Sequence, residues 1–292
     1  MVGLSRRLLA CAATLGALSL VPAAAQATTV TYSDFSDTSG LTLVGNAATA
    51  STSDGTVLRV TPATGSQHGA AYSTTAITLG ASDIFSTQFQ FRFTDAGGID
   101  PADGITFVLA ADASGLGSAG GGLGYQNVPN SVAVEFDTFN NGETGGSNHV
   151  GLDLDGGLQD FGAASPQGVT NCQLGNNTQD GCMSNGKIWT ANIGYDGSLL
   201  TLRLHQQGFA QELLLSQAVD VSSHLGTNQA FVGFTSGTGS GFENHDILNW
   251  SFSDTTSLTT GGVPEPASWA LMLMGFGGLG AALRRRRAAV AI

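Results

Sequence analysis

The sequence predicts an all-β protein, a jelly-roll sandwich of two packed antiparallel sheets, on three observations. Short apolar runs alternate with period two, turn dipeptides separate them, and no helix-period segment occurs between residues 30 and 260. In Gln88-Phe89-Gln90-Phe91-Arg92-Phe93 the phenylalanines fall on one face and the polar residues on the other. Leu200, Leu202 and Leu204 alternate in the same way with Thr201, Arg203 and His205. Further strands are predicted over 57–61, 69–78, 104–110, 131–139, 149–154, 188–195, 212–221, 230–236 and 246–253. Asp54-Gly55, Asp155-Gly156 and Asp196-Gly197 supply turns. No internal repeat and no second globular domain are visible, and the length suits one sandwich domain at 28–255.

Both ends read as processing signals. Residues 1–27 carry Arg6 and Arg7, an apolar run from Leu8 to Val21, and Ala23-Ala24-Ala25, the pattern of a secretory signal peptide. Residues 256–262, rich in Thr, Ser and Gly, form a linker. Residues 263–292 hold Pro264-Glu265-Pro266, an apolar stretch from Ala267 to Leu283, and Arg284 to Arg287. About 17 apolar residues lie at the short limit for crossing a bilayer. The arginines behind them would stay cytoplasmic. This combination resembles the PEP-CTERM sorting signal. The resemblance implies export, transient anchoring in the membrane by this segment, and cleavage by an exosortase-type protease. The domain would be left on the cell surface or in extracellular polymer.

Between the signals the basic residues are Arg59, Arg92, Lys187 and Arg203, against all but one of the 22 acidic residues. Such a surface repels phosphate backbones, which argues against a nucleic-acid partner. Cys11 belongs to the signal peptide. Cys172 and Cys182 remain as an even pair, for which a disulfide is the default reading in an exported chain. No further Cys or His stands at the spacing a metal finger needs.

The densest polar constellation is Val132-Ala133-Val134-Glu135-Phe136-Asp137-Thr138-Phe139-Asn140-Asn141. Glu135 and Asp137, two apart on a strand, share a face, with Val134 and Phe136 on the opposite one. Two adjacent carboxylates repel and are costly to desolvate without a cation. The following loop offers Asn140, Asn141, Glu143 and Asn148, and His149 opens the next apolar run. A hairpin over 132–154 would gather these groups at its tip. Hard oxygen donors suit calcium, whereas an added imidazole suits a transition metal such as manganese. The alternative is a solvated carboxylate face with a surface histidine.

Four separated segments resemble L-type (legume-like) lectins, in the same order. They are Ala102-Asp103-Gly104-Ile105-Thr106-Phe107, Gly120-Gly121-Gly122-Leu123-Gly124, the Glu135 to His149 stretch, and Val232-Gly233-Phe234 with Glu243 to Phe252. The resemblance implies a concanavalin-like jelly roll that binds a glycan or exopolysaccharide with the help of Ca2+, and of Mn2+ or another transition metal. It implies that Asp103, following a cis peptide bond from Ala102, accepts hydrogen bonds from sugar hydroxyls. Gly121 or Gly122 would donate a backbone N–H, and Phe139 would stack on the sugar ring while its carbonyl binds calcium. Asn141 would serve calcium and sugar together. Asp137 would bridge two metals, with Glu135 and His149 on the transition-metal side.

The chain departs from the family where a bridging Asp is expected after the Asn. Glu143 stands near that place in a shortened loop, so Glu143 or Asn148 would supply the oxygen, and a calcium-only site is an open option. Segment 235–245 is expected to tune specificity. Phe242 within it reads as a core or turn aromatic, with a second sugar platform as the alternative. His68, His205 and His224 have no acidic partner at useful spacing. His245 reads as a loop brace, and Trp189 and Trp250 as core.

An enzyme is not expected. Jelly-roll endoglucanases carry Glu-x-Asp-x-x-Glu, and here the last position is Asn140, an amide that cannot transfer a catalytic proton. A structural exopolysaccharide or biofilm matrix protein without strong sugar binding is the other alternative.

Overall fold

In a computed structural model of the chain, residues 29–79 and 84–254 are described. The expected signal peptide, linker and C-terminal transmembrane segment lie outside these residues. No helix among the described residues is long and apolar enough to cross a membrane.

The strands run β1 (Thr29–Tyr32), β2 (Leu41–Gly45), β3 (Ala48–Thr52), β4 (Gly55–Thr61), β5 (His68–Ser73) and β6 (Ile77–Thr78). There follow β7 (Phe85–Gly98), β8 (Gly104–Ala110), β9 (Ser131–Asp137), β10 (His149–Leu154) and β11 (Phe161–Ala164). The chain then forms β12 (Trp189–Tyr195), β13 (Leu199–Gln206), β14 (Glu212–Ala218), one helical turn α1 (Val221–Leu225), β15 (Gln229–Gly237) and β16 (Gly241–Ser253). One antiparallel sheet has the order β14-β13-β12-β7-β16-β4-β3, with β1 also on β16. The other has the order β11-β10-β9-β8-β15-β5-β2, with β6 also on β15. The fold is thus the expected two-sheet jelly roll.

Period-two alternation builds the core. Phe89, Phe91 and Phe93 on β7 are buried, while Gln88, Gln90 and Arg92 between them are only half-buried. The phenylalanines meet the inner face of the second sheet. Phe89 packs edge-on to Phe136 and Phe234, with centroids at 5.6 and 4.9 Å, and stacks with Phe107 at 6.0 Å. Edge-to-face contacts of this kind stabilise beyond the area they bury. Leu200, Leu202 and Leu204 join the same core, as do Trp189 and Trp250.

The second sheet is buried on its outer face too. Residues 111–130 fold across it, and Tyr125 and Val128 pack on Ala70, Tyr72, Val108, Ala110 and Ala133. Thr235 and Thr106 share a hydrogen bond on this face at 2.7 Å, and Thr235 also donates to the Leu123 carbonyl at 2.8 Å. That tie fixes a 3-10 turn at Gly120–Gly122 over one end of the sheet.

Four strands escaped the sequence reading: β1, β2, β3 and β11. Ala48–Thr52, for example, is an edge strand of small and polar residues without apolar alternation. The strand expected over 212–221 ends at Ala218, because Asp220 caps α1 by accepting the Ser223 N–H at 3.0 Å. Gly226 in the left-handed conformation closes that turn, which is too short to show helical periodicity. The run 69–78 is split into β5 and β6.

Phe89→Ala removes the ring on which three aromatics of the facing sheet converge. It is expected to lower stability by about 3–5 kcal/mol in urea unfolding. A loss under about 1 kcal/mol would show that these aromatics are not the joint between the sheets.

Candidate functional site

The strand pair β9–β10 places Asp137 opposite His149 and Glu135 opposite Gly151. Cross-strand partners share a face, so both carboxylates and the imidazole project to the outer side. Val134 and Phe136 point into the core. Glu135, Asp137 and His149 have ligand atoms within 4.8 Å of one another, as do Glu135, Asp153 and Asp160. His149 Nε2 lies 3.5 Å from Glu135 Oε1 and 3.6 Å from Asp160 Oδ1. His149 is fully buried, and its Nδ1 is 3.0 Å from the Gly146 carbonyl oxygen. A carbonyl only accepts, so Nδ1 donates to it, and Nε2 is the nitrogen turned toward the acids.

A second convergence lies beside the first. The Ala102–Asp103 peptide is cis. The Asp103 N–H donates to Gly237 at 3.1 Å, and its carbonyl accepts from the Thr138 N–H at 2.8 Å. These bonds seat Asp103 between the β15–β16 turn and the loop after β9. The Asn141 amide and the Gly239 N–H lie near its carboxylate and favour its charged form. Asp103 Oδ2 is buried and has no hydrogen-bond partner. The 3-10 turn closes over this pair, bound by the Gly120 N–H to Thr238 at 3.0 Å. A Cβ on Gly121 would run into the Asn141 amide and push it aside, so glycine there lets that amide pack against the turn. Gly122 serves the turn itself: its N–H donates to Ala119, and a Cβ there would meet Ser118 at 2.6 Å.

Phe139 is half-buried and its N–H donates to Asp137 Oδ1 at 2.8 Å. Asn141 is exposed. Glu143 is half-buried, with Oε1 shielded from solvent and without a hydrogen-bond partner. Its charge acts on both Asp137 and Asp103. Asn148 does a different job from the one anticipated as an option. Its amide donates to Val169 and Gly181 at 2.7 and 2.8 Å, and its oxygen accepts from Met183 at 2.9 Å. It thereby docks the loop closed by the Cys172–Cys182 disulfide.

The electrostatics of the cluster are one-sided. Burial drives Asp103 up to about 7, against the hydrogen bonds from Asn141 and Gly239 and with the help of Glu243 and Glu143. Burial likewise raises Asp137, reinforced by Glu143, and raises Glu135, reinforced by Asp153. Asp153 rises to about 6, again through burial. The four basic side chains among the described residues are engaged elsewhere. Arg59 pairs with Asp246, Arg92 with Asp54, Lys187 with Asp180 and Arg203 with Glu212. Among the described residues, no Lys or Arg therefore meets these carboxylates. Buried Glu135 Oε1, His149 Nε2, Asp103 Oδ2 and Glu143 Oε1 all lack hydrogen-bond partners. That set of hard oxygens and one imidazole fits a divalent cation.

Sequence reading missed Asp153 and Asp160. The first was within reach, since His149, Gly151 and Asp153 share a face by period two. Asp160 follows a turn and carried no such signal. The reading of His224 is corrected: its Nδ1 lies 2.8 Å from Asp155 Oδ2, a partner 69 residues away in sequence. His68 meets the Gly117 carbonyl at 2.9 Å. His245 braces the site from beneath, with Nδ1 at 2.7 Å from Thr61 and 3.0 Å from Ser236. Glu243 beside it accepts from Thr138 and Ser184. Phe242 lies over Gly97 and Gly98, as a turn aromatic does.

With this geometry in hand, comparison with known proteins is direct. The family profile of the legume lectin domain matches residues 27–263, and the chain belongs to that family. The PEP-CTERM protein-sorting motif matches residues 262–287. The bark lectin of Styphnolobium japonicum is 30% identical over 193 residues, covering 62% of this chain and 65% of that one. The galactose-binding lectin of Arachis hypogaea is 30% identical over 185 residues, covering 60% and 62%. The chain thus spans less than two thirds of these relatives. Among solved structures, the metal-free form of lectin I-B4 from Griffonia simplicifolia superposes with a TM-score of 0.64 at 27% identity, covering 77% of this chain and 98% of that one. The Bauhinia forficata lectin in complex with GalNAc gives 0.63 at 26% identity, covering 78% and 98%.

The raised carboxyls predict a pH dependence for protein stripped of divalent cations. A carboxyl whose folded value exceeds its ordinary 3.8 holds its proton more tightly when folded, so stability falls as pH rises between the two values. The depressed surface acids, such as Asp34 and Asp196, act below about 4 and leave this window clear. The melting temperature in chelator is expected to fall from pH 4 to pH 7, and calcium at pH 7 to restore it. A flat profile would contradict the crowding of acids.

Proposed function

We propose that this chain is a calcium-dependent carbohydrate-binding protein, exported and sorted to the cell surface or extracellular matrix. The observation that carries the reading is Asp103, whose buried and unpartnered Oδ2 sits beside Gly120 and Gly239, near Asn141 and the acid–imidazole cluster. In this reading Asp103 accepts from two sugar hydroxyls and the Gly121 N–H donates to a sugar oxygen. The half-buried Phe139 ring offers an apolar platform, and Asn141 orients the sugar through its amide nitrogen. Asp137, the Phe139 carbonyl, Asn141 and Glu143 would hold calcium. Glu135, Asp137 and His149 would hold manganese or another transition metal. A bound cation would supply positive charge that neutralises the carboxylates and ties the 138–143 loop to β9.

The sorting-motif match and the basic, apolar N-terminus support export. Under this reading residues 1–27 are a signal peptide, 256–262 a linker and 263–292 a sorting segment. That segment anchors the chain transiently in the membrane until an exosortase-type protease cuts it. An exopolysaccharide is the natural partner of a glycan binder placed there. Galactose and N-acetylgalactosamine are the first probes, because the Arachis hypogaea relative is a galactose-binding lectin and the Bauhinia forficata lectin is seen in complex with GalNAc.

Glycan-array binding that disappears in EDTA and returns with calcium is the expected result. Absence of binding at any calcium level would favour the matrix scaffold, and release of reducing ends would reveal a glycosidase. Asp103→Ala is expected to weaken binding by on the order of 100-fold while leaving the melting temperature in calcium within a few degrees. Asp137→Ala is expected to abolish binding and the calcium-induced rise in melting temperature together. Retention like that of the unaltered chain by both variants would refute the site.

A further inference from the structure

We infer that Asp160 is a direct ligand of the ion held by Glu135, Asp137 and His149, delivering a third carboxylate from the turn that follows β10. The inference rests on the metal-site reading above and adds a ligand from outside the β9–β10 hairpin.

The placement of Asp160 is built rather than incidental. Asp153 Oδ1 accepts the N–H groups of Gln159 and Asp160 at 2.7 and 3.2 Å, which pins the turn over the end of the sheet. Asp160 itself takes a left-handed conformation there, with φ at 51°. A Cβ on Gly151 would lie 3.0 Å from Asp160 Cα and 2.5 Å from Glu135 Oε1. Glycine at 151 is thus what lets the turn descend onto the acid row.

The spacing around His149 separates the possible roles. Asp160 Oδ1 and Glu135 Oε1 stand 3.6 and 3.5 Å from Nε2, beyond ordinary hydrogen-bond range. Two neighbouring ligand atoms about 2.1 Å from one octahedral ion stand about 3 Å apart, so both gaps come within reach of a shared ion after a small inward shift. His149 and Glu135 are almost wholly buried, and both Nε2 and Oε1 lack hydrogen-bond partners. Buried polar atoms left unpaired in this way are costly, and a cation seated among them would satisfy Nε2 and both carboxylate oxygens. Asp160 is 12% exposed at its side chain, so it closes the cluster on the solvent side.

The test is a titration of Mn2+ alone into the chelator-stripped full chain, with free Mn2+ followed by electron paramagnetic resonance. The unaltered chain is expected to bind, and His149→Ala to lose binding. Asp160→Asn should weaken Mn2+ at least tenfold, while its Ca2+ affinity stays within about twofold. Asp155→Asn, an acid of the same turn that pairs with His224, should match the unaltered chain. In chelator, Asp160→Asn should melt no lower than the unaltered chain, because one of the crowded carboxylates has gone. A lower melting temperature there would make Asp160 a structural acid and overturn the assignment. Unchanged Mn2+ affinity in Asp160→Asn, alongside loss in His149→Ala, would overturn the ligand role and leave the metal reading standing. No Mn2+ binding by the unaltered chain would overturn both.

Discussion

Six carboxylates meet at one end of one sheet, and among the described residues no Lys or Arg side chain comes with them. Glu135, Asp137, Asp153 and Asp103 are buried, and Glu143 and Asp160 press against them. Two unit charges 4 Å apart repel by about 4 kcal/mol at an effective dielectric near 20, so such a group is not stable as a set of bare anions. Protons or a divalent cation must compensate. Every other element of the site follows from accommodating that charge. The imidazole turns Nε2 toward the acids, the glycines let loops approach, and the four basic residues among those described stay with their own partners at a distance.

The sandwich makes this arrangement affordable by separating its two faces. On the inner side, the aromatic joint among Phe89, Phe107, Phe136 and Phe234 holds the sheets together without polar groups. On the outer side, residues 111–130 cover most of the second sheet with Tyr125 and Val128 and stop short of the acid row. The same segment carries the Gly120–Gly122 turn onto Asp103 and Asn141, so the cover of the sheet is also one wall of the site. Beneath the rim, His245 and Glu243 bind Thr61, Ser236, Thr138 and Ser184. These contacts fix the ends of β4, β15 and β16 and the start of the loop after β9 relative to one another.

Membership of the legume lectin family accounts for the scaffold and for the order in which its segments arrive. The loop after β9 runs from residue 138 to residue 148. It is short, carries Glu143, Gly145 and Gly146, and hands Asn148 to the disulfide loop as a brace. Acidic charge arrives instead from the turn after β10. A ligand shell recruited from a different turn changes which loops must move together when the site orders, and it couples the 155–160 segment to the 138–143 loop.

The sequence by itself determined the fold class, because burial on a pleated strand leaves a period-two record that survives without any partner being known. It determined Glu135, Asp137 and His149 for the same reason, since a hairpin brings near neighbours in the chain to one face. It also marked Asp103 and the glycines through a resemblance whose segments keep their order. The tertiary structure alone decided how Asp103 reaches Asn141, how Gly121 is squeezed against that amide, and that Asp160 belongs to the cluster. It also decided the pairing of His224 with Asp155 and the bracing role of Asn148. These contacts join residues whose local patterns are silent about each other, so only the closure of the two sheets and their loops brings them within a few ångströms.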